Sequence, residues 1–293
     1  MDKTCVILNP AAGSITDVDT LVTVLKSVGG FQVEISAKRG AVEQLTRTAL
    51  RKGCRVFIAA GGDGTLNEVV NALGEDARDI RVGLLPLGTG NDFARTLGLP
   101  TQLKGALDVL RAGRTRAIDL VRVTSDRIRY FVNVSAGGFS GVVNEKLTPE
   151  MKESWGPLAY VRSAAAALPE LRAYGTNVAL GNEECISMDL YNVVIANGRY
   201  VAGGTPIAPE ASIDDGLLDV VLLSATSAAQ LALLMPQILL GTHLSNSAVV
   251  FRRASKVTVN SRPGMWFNVD GELVGNEPAV FQVLPRALQF IVA

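Results

Sequence analysis

RVFIAAGGDGTLNEVVNALG, residues 55–74, decides how this chain is read. Val56 to Ala60 is a short apolar run of β-branched and small residues, the pattern of a buried strand. It breaks at Gly61-Gly62-Asp63-Gly64, a turn that glycine makes without steric penalty. Thr65-Leu66-Asn67-Glu68 fits a capping box, with Thr65 capping a helix and Glu68 reaching back. Leu66, Val69, Val70 and Leu73 recur at helical spacing, and Gly74 ends the helix.

A strand, a glycine turn and a helix N-terminus together present bare backbone N–H groups to an anion. The same letters also describe an ordinary βα turn. Asp63 separates the two readings. A carboxylate about 4 Å from a phosphate charge is repelled by roughly 4 kcal/mol at an effective dielectric near ~20. A phosphate here therefore needs a divalent cation or a proton-donating hydroxyl between the two, and both belong to phosphoryl transfer.

The rest of the composition narrows the field. At 293 residues, 48% hydrophobic and 5% aromatic, the chain suits two domains, or one large one, with an aliphatic core. Lysine plus arginine equals aspartate plus glutamate at 28 each, which removes the electrostatic case for nucleic acid. The small basic excess lies in residues 1–122 and suits an anionic ligand there. Cys5, Cys54 and Cys185 flank predicted strands and read as buried free thiols. MDKTCVILNP turns polar too soon for a signal peptide. Ala228 to Leu240, broken by Gln230, Pro236 and Gln237, falls short of the ~20 apolar residues of a spanning helix. The expectation is a cytoplasmic protein without a transmembrane segment, at most peripheral to a membrane surface. His243 is the one histidine, so Ser-His-Asp triads, Cys-His pairs and HExxH zinc sites are implausible. Acid–base chemistry falls to carboxylates, and His243 is expected to end the helix before it.

In chain order, Thr4–Leu8, a helical face at Leu21, Val24, Leu25 and Val28, Phe31–Ser36, a helix around Leu45 and Ala49, and the strand above give β-α-β-α-β-α. That is the pattern of a parallel doubly wound sheet. Asn9-Pro10-Ala11-Ala12-Gly13-Ser14 is a second glycine-ended turn after a strand. Val82–Pro86 is a fourth strand, followed by LPLGTGNDFARTLGLP. There Gly88-Thr89-Gly90 turns, Asn91 or Asp92 caps, and a short helix ends at Gly98. Two such turns would lie side by side at the carboxyl edge of the sheet. Leu103–Leu110 is a further helix.

The pattern changes after Gly113. Residues 115–136 alternate apolar and polar around Ser125-Asp126 as a hairpin, and the domain boundary is set near residue 122. Residues 139–172 read as largely helical. Strands follow near 175–181, 186–196, 217–223, 255–260, 265–269 and 279–292, with an apolar helix at Leu231–Leu240. A β-sandwich over residues 123–293, its last strand able to return to the first domain, is expected beside the α/β domain, with a cleft between.

GGDGTLNEV resembles the signature of the soluble lipid kinases, the diacylglycerol and sphingosine kinase family with its bacterial YegS-type members. NAD kinases and phosphofructokinases share that loop. LPLGTGNDFAR resembles the lipid kinases and has no counterpart in NAD kinases. Together with NPAAG, the DDG turn at 214–216 and VDGE at 269–272, in family order, the resemblance spans nearly the whole chain. It implies ATP held by Asn9, Gly13, Ser36, Gly61, Gly62, Asp63, Gly64, Thr65, Leu66, Asn67, Glu68, Gly88, Thr89 and Asn91.

The remaining motifs carry local readings beside the implied ones. Asp214-Asp215-Gly216 is a turn pair with excess carboxylate. The resemblance implies a structural Mg²⁺ there on Asp215 and the backbone oxygens of Ser212 and Leu217, with Asp92 in a water-linked metal network. Asp270-Gly271 between alternating apolar residues is a hairpin tip. Asp270 and Glu272 point the same way on an extended backbone and can share a raised pKa. The resemblance makes this pair the proton acceptor, Glu272 first and Asp270 next. Asp63 stands third, since sphingosine-type relatives use that carboxylate. The implied activity is transfer of the γ-phosphoryl of ATP to a lipid hydroxyl with Mg²⁺, most like a diacylglycerol kinase working at a membrane surface. Phosphatidylglycerol, a sphingoid base, an undecaprenyl-type alcohol or NAD as acceptor, or a non-catalytic lipid-binding role, are the alternatives. Met151, Trp155, Leu158 and Tyr160 read as a core helix that can also dip into a membrane. Oligomeric state is not legible.

Overall fold

The computed structural model describes residues 3–13, 15–29, 31–38, 40–139, 171–182, 184–269, 272–275 and 278–293. Ser14, Asp270, Gly271 and the predicted helices over 140–170, with Met151, Trp155, Leu158 and Tyr160, lie outside them. The chain divides into two compact units, residues 1–120 with 285–293, and residues 121–284.

The first unit begins β1 (Lys3–Leu8), α1 (Val18–Gly29), β2 (Gln32–Ile35), α2 (Ala41–Arg51), β3 (Cys54–Gly61) and α3 (Asp63–Leu73). It continues with β4 (Arg81–Pro86), α4 (Asp92–Thr96) and α5 (Leu103–Ala112). β2, β1, β3 and β4 pair in parallel in that order. Residues Gln289 and Phe290 of the last strand add parallel to β4. β1, β3 and β4 are buried along almost their whole length, as helices on both faces require. One face packs Val6, Leu8, Val56, Ile58 and Leu85 against Leu21 and Leu25 of α1 and Leu107 and Leu110 of α5. Elsewhere in the unit, Phe93 meets Phe290 edge-on, centroids 5.3 Å apart.

The capping box at Thr65 is not formed. α3 starts two residues earlier, with Gly62 in the cap position and no side-chain cap of its own. Thr65 is buried within the first turn, and its hydroxyl oxygen accepts from Asn9 Nδ2 at 3.2 Å. The helix has already begun by the time the chain reaches Thr65, so this hydroxyl joins two loops instead of ending one.

The second unit opens with β5 (Thr115–Thr124), which runs into it from the first unit and forms the expected hairpin with β6 (Ile128–Phe131). β7 (Val134–Gly138), β8 (Tyr174–Leu180) and β9 (Glu184–Ala196) follow. Next come the small hairpin of β10 (Tyr200–Val201) and β11 (Thr205–Pro206), then β12 (Leu218–Ser224) and α6 (Ala228–Leu240). The unit ends with β13 (Val249–Ala254), β14 (Lys256–Arg262), β15 (Phe267–Val269), β16 (Glu272–Val274) and β17 (Ala279–Ile291), whose last residues belong to the first unit. β9 pairs antiparallel with β7, β8 and β12. Phe267 and Phe131 both stand edge-on to Phe281 at the centre of the sandwich.

Three expectations change. β13 was not foreseen, because Arg252-Arg253 interrupts its apolar run; Arg253 sits opposite Asp219 of β12, and the pairing lets a basic residue occupy a strand. Cys185 is exposed on β9, whereas Cys5 and Cys54 are buried. Burial pushes the Cys5 thiol up to about 12, and neighbouring Cys54 adds to it, so that thiol is inert. His243 does not merely follow a helix. It is buried, and its Nε2 lies 3.0 Å from the Ile207 carbonyl oxygen.

Candidate active site

Three loops leave the carboxyl ends of adjacent parallel strands β1, β3 and β4, and they touch. The Asn9 amide donates to Ala60 O at 3.0 Å, and the Leu87 amide to Gly61 O at 2.9 Å. Gly62 and Gly88 meet backbone to backbone. A Cβ on Gly88 would lie 2.5 Å from the Gly62 Cα, and one on Gly62 would lie 3.1 Å from the Gly88 Cα. A Cβ on Gly13 would come within 2.6 Å of Thr89 Oγ1. Gly88 is required by this packing of backbone on backbone, the fit at Gly62 is tight, and at Gly13 the neighbour is the side chain of exposed Thr89.

Asn91 fixes the third loop. It takes the left-handed conformation, φ 51°, which asparagine tolerates. Its Oδ1 accepts the Gly88 amide at 3.0 Å, and its Nδ2 donates to Gly88 O at 2.6 Å. Asn91 therefore does not cap α4 with its side chain. The cap comes from the neighbouring loop. Asp63 Oδ2 accepts the Asp92 amide and Asp63 Oδ1 the Phe93 amide, both at 3.0 Å. A carboxylate at a helix N-terminus answers both the orphan amides and the dipole.

Gly64 differs from its neighbours. Nothing lies within 4 Å of a Cβ placed there, and it has no positive φ. The fold does not need a glycine at this point, and the open backbone space is available to a ligand. Gly13 and Thr89 are exposed on the first and third loops, and Gly64 is exposed in the first turn of α3. Ser36 is buried at the end of β2, its amide held by Leu8 O at 2.8 Å. Leu66 lies in the core and Asn67 is buried, its Oδ1 accepting from Asn71 Nδ2 at 2.9 Å. Those two residues support α3 from within. Glu68 is half-buried.

The comparisons with known proteins follow this division of the chain. Residues 3–123 match the diacylglycerol kinase catalytic domain. Residues 133–292 match the YegS C-terminal NAD kinase beta sandwich-like domain. A diacylglycerol kinase of Staphylococcus haemolyticus is 31% identical over 288 residues, covering 97% of this chain and 86% of that protein. The chain belongs to the diacylglycerol kinase family.

A second member of that lipid kinase family, a diacylglycerol kinase of Staphylococcus aureus strain Newman, is 32% identical over 274 residues, 92% of this chain and 84% of its own. The crystal structure of a diacylglycerol kinase from Bacillus anthracis matches the fold with a TM-score of 0.74 at 19% identity, over 100% of this chain and 97% of that one. An NAD kinase from Archaeoglobus fulgidus in complex with ATP has a TM-score of 0.56 at 13% identity, over 98% and 93% of the two chains. The fold is accordingly an α/β domain with a parallel sheet, joined to a β-sandwich.

The family's other motifs fall in the second unit. Glu272 opens β16, and its backbone pairs with Val269 of β15. The DDG turn is occupied by protein groups. Asp215 Oδ1 accepts the Leu217 amide at 3.0 Å, and Asp215 Oδ2 takes the Arg253 guanidinium at 2.5 Å. Ser212 Oγ donates to Asp214. Arg253 Nε also reaches Asp219, which is buried, at 2.8 Å. Burial pushes the Asp219 carboxyl above its usual range, and Arg253 pulls it back. An ion held by the backbone oxygens of Ser212 and Leu217 would share the Asp215 carboxylate with that guanidinium, a sharing that the two oxygens and roughly four lone-pair positions of a carboxylate allow. Arg253 was invisible to sequence reading because it lies 38 residues from Asp215. Among the described residues no group of three or more His, Cys, Asp or Glu side chains is arranged to hold a metal.

Proposed function

We propose that the protein is an ATP-dependent kinase that phosphorylates the hydroxyl of diacylglycerol. The observation that carries this is the contact of three glycine loops at the edge of one parallel sheet, with Gly13, Gly64 and Thr89 left exposed. Backbone amides at such loops bind a triphosphate without any side chain. The open space at Gly64 suits phosphate brought against the backbone, and the Thr89 hydroxyl can donate to it. Ser36 at the end of β2 suits the nucleoside side. Asp63 acts through Asp92 and Phe93, holding the third loop in register for the nucleotide.

Mg²⁺ bound with the nucleotide would supply charge neutralisation for the transferring phosphoryl group. Asp92, a hard-oxygen side chain on the third loop, is the residue that suits it. The lipid hydroxyl attacks the γ-phosphorus in line, the bond from that phosphorus to the β–γ bridging oxygen breaks to release ADP, and the hydroxyl proton passes to a carboxylate. Glu272 is the first choice for that acceptor and Asp270 the second. Asp63 ranks below both, because each of its oxygens already accepts a backbone amide. The protein works peripherally, at a membrane surface where its acceptor lies.

The test is incubation with labelled ATP, Mg²⁺ and separate vesicles carrying diacylglycerol, phosphatidylglycerol, a sphingoid base or an undecaprenyl-type alcohol, with NAD as a soluble control. The expected product is labelled phosphatidic acid. Label in NAD phosphate, or in no lipid at all, would overturn the reading.

A further inference from the structure

α6 turns an apolar face to water. Ala229, Ala232, Leu233, Pro236, Leu239 and Leu240 are exposed at three- and four-residue spacing, one continuous stripe along the helix. Leu233 is 70% exposed and Leu240 76%. Leu231 and Leu234 are buried on the opposite side, Leu234 within a cluster that includes Val194, Val221 and Val249. A helix resting on a sandwich ordinarily shows charged and polar groups outward. Here residues 220–251 contain no Asp, Glu, Lys or Arg at all. Large apolar side chains exposed singly mean little, but three on one helix form a patch.

The helix is firmly built. Ser227 and Gln230 form a reciprocal capping box at its start. Gln237 Oε1 accepts from Asn246 beyond its end at 2.9 Å. The stripe is thus presented without any rearrangement.

We infer that α6 is a docking helix for the neutral, apolar boundary of a lipid bilayer, with Leu233, Leu239 and Leu240 as its inserted side chains. The stripe is too small for a second copy of this chain. Six side chains, three of them small, fall well short of the ~800 Å² per partner of a stable dimer. They also offer no charge or hydrogen bond to fix an orientation. A bilayer asks for neither, and apolar helix faces settle roughly 5–10 Å into the headgroup–acyl boundary. This inference rests on the lipid-kinase reading for its purpose, since a diacylglycerol hydroxyl lies in that same boundary. Because the stripe is uncharged, its binding needs no anionic lipid and is not weakened by salt.

The experiment is co-sedimentation of the full chain with phosphatidylcholine vesicles, without ATP, at low and high salt. Wild type is expected to bind equally at both. Leu233→Gln with Leu240→Gln should weaken binding roughly a hundredfold, about tenfold for each leucine kept from the lipid. Leu233→Met with Leu240→Met keeps the stripe apolar and should bind like wild type. Phosphorylation of a short-chain diacylglycerol dissolved as monomers should be the same in all three. Vesicle binding unchanged in the glutamine variant, binding lost at high salt, or a wild-type dimer by light scattering that the glutamine variant dissolves would each overturn the proposal. Stripe-dependent vesicle binding without phosphorylation of any lipid would leave the docking helix standing and remove the kinase reading instead.

Discussion

Asp63 caps the helix that Asp92 begins. Its Oδ2 accepts the Asp92 amide at 3.0 Å across 29 residues of sequence, and its Oδ1 takes Phe93. The aspartate of the GGDG loop is therefore a clasp between two loops, whatever else it does. Asp63→Ala removes acceptors from two backbone amides and should lower unfolding free energy by about 2 kcal/mol. Asp63→Asn keeps one acceptor and should lose about half as much. Urea midpoints measure both. An alanine variant as stable as wild type would mean that the clasp contributes nothing.

The glycines divide into two kinds. Gly88→Ala would press a methyl group onto Gly62, and should destabilise the first unit by about 1–3 kcal/mol. Gly64→Ala meets nothing and removes a flexible residue from a helix. Its thermal midpoint should hold, or rise by the equivalent of up to ~1 kcal/mol. If a phosphate sits there, its KM for ATP should nevertheless rise roughly tenfold, about 1.4 kcal/mol of lost binding. An unchanged KM would place the nucleotide elsewhere.

Glu272→Gln should lower kcat by about 10²–10⁴-fold with little effect on the KM for ATP or on stability, as loss of a general base does. Asp270→Asn should cost less. If Asp270→Asn is the more severe of the two, their order is reversed.

The Arg253 cluster yields a stability prediction. Arg253→Met strips the buried Asp219 carboxylate of its partner. Arg253 itself is 38% exposed, so water screens part of the loss, and about 2–3 kcal/mol is expected from the range for broken ion pairs. Adding Asp219→Asn should restore most of it. An ion that shares Asp215 with Arg253 should raise the wild-type unfolding midpoint when Mg²⁺ is added and lower it when a chelator removes it. A midpoint indifferent to both would leave Arg253 alone balancing Asp215.

His243 gives a pH signature. Burial holds its pKa below the ordinary 6.5, so the unfolded chain takes up the proton first as pH falls. Its contribution to stability is complete above pH ~6.5 and is lost progressively below it, by at most ~1.4 kcal/mol per pH unit for one proton. His243→Gln should flatten that part of the curve of unfolding midpoint against pH. A slope the same in both proteins would assign the acid sensitivity to other groups.

Much of the loop geometry of the candidate site could be read in the sequence because its information is local. A βα turn with glycine at its tip is set by backbone sterics within a few residues, so Gly61–Gly64 and Gly88–Asn91 announce themselves. Alternation gave most of the sandwich strands for the same reason, side chains repeating every second residue. What failed was the assignment of partners. Thr65 looked like a cap and serves Asn9; Asn91 or Asp92 looked like the cap of α4, and Asp63 provides it. β13 was hidden because only its pairing with β12 makes Arg253 acceptable in a strand.

The sequence by itself determined where the chain bends around glycine and which faces are apolar, since both follow from single residues and short periods. Tertiary structure alone decided what each polar atom answers to. Hydrogen-bond partners are chosen by which strands lie side by side, and parallel crossovers bring together loops tens of residues apart. Asp63 and Asp92 are neighbours for that reason, and so are Gly62 and Gly88. The outward stripe of α6 has the same origin: helical spacing marks an apolar helix, but only packing on the sandwich decides which of its leucines remain in water.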